Sequence, residues 1–271
     1  MPELPDVEMA RRLLEEALRG TTITRAQSAD RLITKPSAPG GLARLLVGRT
    51  VRAIERRGKR LRLLLDDGGR LFSHLGMTGD WLVMRLDEPP ARFERARIDV
   101  KRGKAERSLR YVDARRLGRL VASKEDIAAW RDLGPDPMSD GLDAQVLAHR
   151  LGRTRRPVKD ALMDQSVLAG IGNILATEGL WHARIDPRSQ SDRLSADDVR
   201  AIVAGLRKAI EKQLDSREKA HGGDPHDVFA AYGRAGEPCN RCGTQLSRIV
   251  LGGRTTTYCA HCQKRRGSRK K

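Results

Sequence analysis

No cysteine occurs in the first 238 residues of this 271-residue chain, and aromatic side chains make up only 3% of it. A secreted, disulfide-stapled scaffold spreads its cysteines along the chain, so that class is excluded. Long apolar runs are missing as well. Nothing approaches the roughly 18 consecutive apolar residues of a membrane-spanning helix. The opening residues, Met1-Pro2-Glu3-Leu4-Pro5-Asp6, hold two acids and no apolar stretch, which is not the pattern of a secretory leader. A soluble, cytoplasmic protein is therefore expected. Negative charge is also in short supply: 35 acidic residues face 53 basic ones, a formal net charge of +18. The last eight residues hold six positive charges, so the body of the chain is basic without them. With 39% hydrophobic residues there is enough apolar material for a packed core. A basic excess on a globular chain points to a polyanion as partner, nucleic acid first.

The four cysteines that do occur are Cys239, Cys242, Cys259 and Cys262. Their pattern, C-x2-C-x16-C-x2-C, has the spacing of a four-thiolate zinc site. Each C-x2-C knuckle turns two sulfurs to one side, and two knuckles complete a tetrahedron. Four thiolates leave no open position, so one structural zinc ion is expected, with no catalytic role.

Along the chain the texture changes twice. Residues 5–19 read as a helix, with Val7, Ala10, Leu13, Leu14, Ala17 and Leu18 at helical spacing and Gly20 as its stop. From about 22 to 121, short β-rich runs alternate with turn signals. Two hairpins stand out: Arg60–Leu65 with Arg70–Leu75 across Asp66-Asp67-Gly68-Gly69, and Arg97–Val100 with Leu109–Val112 across Gly103. Asp132-Leu133-Gly134-Pro135-Asp136-Pro137-Met138-Ser139-Asp140 has the turn chemistry of a domain boundary. Helical patterns follow, over 142–151, after Pro157, and beyond Ile171-Gly172-Asn173. Ser195-Ala196-Asp197-Asp198 is similar to a capping box, with Asp in place of Glu. Val199, Ile202, Val203, Leu206, Ile210 and Leu214 continue from it as an amphipathic stripe. Residues 216–227 are polar and loop-like.

Taken together, these segments resemble bacterial formamidopyrimidine-DNA glycosylases, the Fpg branch of the Fpg/Nei family. The matching motifs run in order: Pro2-Glu3-Leu4-Pro5-Asp6-Val7-Glu8, Arg57-Gly58-Lys59, His74-Leu75-Gly76-Met77-Thr78-Gly79, Asp113-Ala114-Arg115-Arg116-Leu117-Gly118, Leu162–Ser166 through Gly170–Ile174, Tyr232-Gly233-Arg234, and the four cysteines with Arg254. The resemblance spans essentially the whole chain. It implies an α+β fold. An N-terminal helix and an antiparallel β-sandwich occupy 1–131, with a linker at 132–140. A helix–two-turns–helix domain follows at 141–230, then a zinc ribbon at 231–263 and a basic tail at 264–271.

The resemblance also implies a chemistry that Pro2 can perform. Loss of Met1 exposes a secondary amine, and an α-amino group titrates near 7.7–8.0, which leaves a reactive neutral fraction at pH 7. Attack on sugar C1′ gives an iminium that is cationic without a proton, a lasting electron sink. Taken alone, Pro2-Glu3 also suits an ordinary helix start. By resemblance Pro2 is the nucleophile, Glu3 the general acid that helps open the sugar ring, Lys59 the lysine beside the elimination chemistry, and Arg254 an arginine that holds flanking phosphates and takes part in δ-elimination. His74, Arg95, Lys159 and Asn173 are expected at the DNA backbone, the turn of the helix–two-turns–helix element at Gly172-Asn173 exposing backbone N–H groups and the Asn173 amide to a phosphate. Met77, Arg115 and Leu117 are expected to fill the gap left by an extruded base. Two positions depart from the family: Leu117 replaces a phenylalanine, and Arg95 a histidine. The 216–227 segment also differs from the typical lesion-capping loop.

The expected function is a bifunctional DNA glycosylase and abasic-site lyase of base-excision repair that acts on oxidised purines in double-stranded DNA as a monomer. Two alternatives stay open: a Nei-like preference for oxidised pyrimidines, and a DNA-binding paralogue without catalysis.

Overall fold

Helix α1 (Leu4–Leu18) forms where the apolar residues repeat at helical spacing; Val7, Ala10, Leu14 and Leu18 are buried along one stripe. Leu13 falls off that stripe and is exposed, a departure from the expected set. Gly20, at a left-handed φ of 75°, turns the chain out of the helix into the first strand. The computed structural model describes residues 2–28, 30–36, 40–219 and 229–267. Met1, most of the divergent 216–227 segment and the last four residues of the basic tail lie outside the described residues.

The described chain forms two units. One contains Pro2 and Asp6–Asp132; the other contains Glu3–Pro5 and the residues from Leu133 onward. In the first unit eight strands make two four-stranded antiparallel sheets. One has the order β1 (Thr22–Gln27), β6 (Glu94–Arg102), β7 (Ala105–Asp113), β5 (Gly79–Met84); the other has the order β2 (Val51–Arg57), β3 (Arg60–Leu65), β4 (Arg70–His74), β8 (Arg119–Ser123). The period-two pattern sets which face is buried. In β3, Leu61, Leu63 and Leu65 point to the core and Arg60 and Arg62 away from it. They share one hydrophobic core with Ile98, Val100, Leu109, Trp81 and the buried stripe of α1. Three short helices, α2 (Arg31–Thr34), α3 (Gly41–Leu46) and α4 (Ala128–Arg131), interrupt the β region. They are too short to produce a periodic signal in the sequence.

The second unit is helical: α5 (Ala144–Gly152), α6 (Val158–Leu162), α7 (Asn173–Ala183) and α8 (Ala196–Lys219). The Ser195 capping box forms with aspartate. Ser195 Oγ accepts the Asp198 N–H at 3.1 Å, and Asp198 Oδ2 accepts the Ser195 N–H at 3.0 Å. Helices α7 and α8 cross at two glycines. A Cβ on Gly205 would lie 2.3 Å from the Gly179 carbonyl oxygen, so any larger residue there forces the helices apart. A final hairpin, β9 (Ser247–Leu251) and β10 (Arg254–Tyr258), carries the cysteine knuckles at its ends.

Candidate functional site

The expected site residues fall into two groups, one in each unit. In the second unit the starting point is the N-terminus of α7. Its N-cap is Gly172, which has no side chain to cap with. The cap comes instead from the other end of the sequence. Glu3 is fully buried, and its carboxylate accepts the N–H groups of Gly172 (3.2 Å), Ile174 (2.8 Å) and Leu175 (3.0 Å). These donors form the positive end of the helix, where a carboxylate is stabilised. Gly170 completes the turn at a φ of 91°. A Cβ there would strike the Leu4 side chain at 2.6 Å, so glycine is required for Glu3 and Leu4 to lie against the turn. Of the turn amides expected at a phosphate, those of Gly172, Ile174 and Leu175 are therefore taken by Glu3.

Asn173, half-buried, opens α7 and donates through Nδ2 to the Thr255 carbonyl at 3.1 Å. Its Oδ1 accepts from Lys159 Nζ at 2.5 Å, and the same ammonium donates to Thr256 Oγ1 at 2.5 Å. Thr256 Oγ1 in turn donates to the Arg254 carbonyl at 3.2 Å. Lys159 thus ties α6, the start of α7 and strand β10 together. It is wholly buried, which corrects the expectation of a direct phosphate contact: its ammonium is spent on internal acceptors. Burial pulls its pKa down to about 8, against the opposing fields of Asp160 and Glu3. Arg254 itself is exposed, just past the Gly252-Gly253 tip, with Nη1 on the Gly252 carbonyl at 3.2 Å.

The cysteine cluster fits a zinc ion. Its four sulfurs lie within 4.8 Å of one another, those of Cys242 and Cys259 at 3.6 Å. Zn–S bonds of about 2.3 Å imply tetrahedral edges of about 3.8 Å. The Cys262 N–H donates to Cys259 Sγ at 3.3 Å, as a thiolate ligand favours. Trp181 lies alongside with the Arg241 guanidinium 4.0 Å from its ring centroid. Sequence reasoning missed the clamp that holds this ribbon to α7. Glu178, 3% exposed, accepts the N–H groups of Ala230, Ala231 and Tyr232 at 2.7–2.8 Å. Its signal was available, as the one acid in the apolar run Ile174–Trp181.

In the first unit Pro2 is half-buried, directly before α1. Lys59 sits in the β2–β3 turn after Gly58, which has a φ of 56°. On α1, the Glu8 carboxylate accepts from Arg56 Nε at 3.0 Å, and Arg56 Nη1 donates to the Gly58 carbonyl at 3.2 Å, bracing that turn from below. His74, at the end of β4, accepts the Gly76 N–H on Nδ1 at 3.3 Å, so a neutral His74 carries its proton on Nε2. Burial, with Arg60, Lys59 and Arg119 nearby, lowers its pKa to about 4. Met77 and Leu117 are among the few large apolar side chains left exposed, and Arg115 is exposed between the strands as well. A Cβ on Gly76 would lie 2.6 Å from the Leu117 backbone, so the two turns pack directly on each other.

Asp113 is the organiser that the sequence analysis did not single out. It is fully buried and accepts from Thr78 Oγ1 (2.5 Å), the Arg115 N–H (3.1 Å) and the Gly118 N–H (2.8 Å). Burial works against its ionisation, but these donors prevail and hold its pKa below the ordinary value. An Asp reaching the N–H two residues on is a recurrent turn device, and that was the available signal. Arg116 adopts a φ of 56° and pairs with Asp30 at 2.6 Å. Arg95 is half-buried; its Nε donates to the Asp113 carbonyl at 2.9 Å and lies 4.0 Å from Asp30.

Comparison with known proteins gives a consistent result. Residues 1–120 match the family model described as the formamidopyrimidine-DNA glycosylase N-terminal domain, 133–221 its H2TH domain, and 236–265 a zinc finger found in FPG and IleRS. A formamidopyrimidine-DNA glycosylase of Herpetosiphon aurantiacus is 36% identical over 97% of this chain and 100% of its own length. The Lactococcus lactis Fpg in complex with abasic-site DNA has a TM-score of 0.87 at 28% identity, covering 97% of this chain and 100% of that one. A MutM bound to DNA containing carbocyclic 8-oxo-G has a TM-score of 0.86 at 28% identity with the same coverage.

Proposed function

The chain belongs to the formamidopyrimidine-DNA glycosylase family, and on that footing we propose that it is a DNA glycosylase and abasic-site lyase of base-excision repair, removing oxidised purines from double-stranded DNA. Pro2, freed of Met1, is the nucleophile. Its nitrogen attacks sugar C1′ as the bond from C1′ to the damaged base breaks, and the base leaves with the proline N–H proton. The C1′–O4′ bond then opens, O4′ taking up a proton with the help of Glu3, and the resulting ring-opened iminium withdraws electrons as the strand is cut by β- and then δ-elimination. The observation that carries the reading is the Glu3 carboxylate beside Pro2, enclosed and fixed by three amides of α7. A carboxylate so fixed can meet positive charge developing on the sugar without reorganising. Lys59 and Arg254 serve the elimination steps and hold phosphates. His74, Arg95 and Asn173 contact the backbone, while Met77, Arg115 and Leu117 fill the gap behind the extruded base. A zinc ion on the four cysteines shapes the β9–β10 hairpin, and its closed ligand set supplies structure only. The protein acts as a monomer in the bacterial cytoplasm.

Borohydride trapping tests this. Reduction of the iminium joins protein to DNA, so an adduct on 8-oxoguanine duplex should map to residue 2, and Pro2→Gly should weaken it. General acid–base help is worth about 10²–10⁴-fold, so Glu3→Gln should slow base excision by that order while nicking of abasic DNA falls much less. Abasic nicking doubles as the fold control, because Glu3 also caps α7. A processed protein that binds both substrates tightly and never yields an adduct would overturn the catalytic reading in favour of a DNA-binding paralogue.

A further inference from the structure

Of the nine aromatic side chains, eight are buried or half-buried, and Phe93 alone stands exposed. Its backbone is left-handed, with a φ of 61°. Phe93 occupies the third position of a tight turn, Ala91–Glu94, closed by the Glu94 N–H on the Ala91 carbonyl at 3.0 Å. Glycine or asparagine is the ordinary choice for a left-handed residue at that position. Phenylalanine is strained there and gains no burial in return.

The turn is held from several sides. The Glu94 carboxylate accepts the Ala91 N–H at 3.0 Å and pairs with Arg110, itself fully buried, at 3.0 Å. The Phe93 carbonyl accepts the Asp113 N–H at 3.0 Å. Asp113 is the residue that fixes Arg115 and Gly118, so the turn and the Arg115–Leu117 loop share one anchor. The Arg92 guanidinium lies 4.6 Å from the Phe93 ring centroid and covers one face of it. Strain that the surroundings over-determine is a mark of function.

We infer that Phe93, backed by Arg92, is a stacking platform for a nucleobase displaced from the duplex at the lesion. The inference rests on the DNA-glycosylase reading above and adds a residue to it. An aromatic ring with a guanidinium behind it and the cationic Arg95 two residues on suits a base, whose π-face stacks whatever its identity. It also supplies an aromatic face beside a loop in which Leu117 offers none.

The test is binding of the full-length, zinc-loaded protein to a duplex containing carbocyclic 8-oxoguanine, which keeps the lesion base, and to the same duplex undamaged. Phe93→Leu should weaken lesion binding about five- to hundred-fold, leaving undamaged binding and salt dependence unchanged. Phe93→Tyr should stay within about twofold, since it keeps the π-face on which a base stacks. Phe93→Gly relieves the strain, so it should lose lesion affinity while its unfolding midpoint holds or rises. Wild-type affinity in Phe93→Leu, equal losses in Tyr and Leu, or a fall of both midpoint and affinity in Gly would each overturn the inference. If wild-type trapping persists in such a case, this inference alone fails. If the wild-type protein neither traps nor prefers the lesion, both readings fall.

Discussion

His74 shows how one residue's surroundings set its chemistry. Its Nδ1 accepts the Gly76 N–H, a bond that exists only for the neutral ring. Burial and the cations of Arg60, Lys59 and Arg119 push its pKa to about 4, whereas in the unfolded chain it lies at the ordinary 6.5. Between these values the unfolded chain binds more protons, so stability is complete above pH 6.5 and is lost as pH falls towards 4. The loss is on the order of 2 kcal/mol at pH 4.5. Urea unfolding at pH 7 and pH 4.5 should therefore show a steeper decline for wild type than for His74→Gln. Equal declines would mean that the fold does not hold His74 neutral. The same bond bears on the DNA contact proposed for His74: at physiological pH that contact would be made by a neutral Nε2–H donor, not a full charge.

At the level of elements, legibility in the sequence depended on the range of the interaction that fixes each one. Helix α1, the β3–β4 and β6–β7 hairpins and the Ser195 box are set by neighbours a few residues apart, and periodicity and turn chemistry disclosed them. The cap of α7 was not legible, because its acceptor, Glu3, lies about 170 residues away. Glu178 behaves likewise, reaching 52 residues to Ala230. Lys159 reads as one more surface cation until the fold encloses it with Asn173 and Thr256. The zinc ribbon was legible because metal ligation imposes its own spacing. Structural zinc contributes about 10–16 kcal/mol of apparent binding free energy in finger peptides, comparable with all the stability a small ribbon has. Cys239→Ser should therefore abolish zinc binding and DNA nicking. Trp181 emission, which reports the ribbon through the stacked Arg241, should shift, while the Trp81–Tyr111 contact in the β-sandwich keeps its near-UV signal. Unchanged zinc content and activity in that variant would refute the ligand assignment.

For the whole molecule the governing quantity is charge, and the formal +18 overstates what a DNA backbone can use. Many arginines are committed internally. Arg56 pairs with Glu8, Arg97 with Asp99, Arg110 with Glu94, and Arg188 with Asp186. Arg62 pairs with both Glu55 and Asp126 and stacks on Trp130. Arg254 is different: it is exposed at a hairpin tip and bonded to a neutral carbonyl. Counterion release converts this contrast into a measurement, since each neutralised phosphate adds about −0.9 to the slope of log affinity against log salt. With about five phosphates engaged, the slope should lie near −4 to −5. Arg254→Ala should reduce its magnitude by roughly one, and should weaken binding to undamaged and lesion DNA alike. Arg62→Gln removes the same formal charge from a cation already matched by two carboxylates, so its slope should stay at the wild-type value. If the two variants shift the slope equally, net charge alone governs binding and Arg254 holds no particular phosphate. If the wild-type slope is flat, the polyanion reading of the composition fails with it.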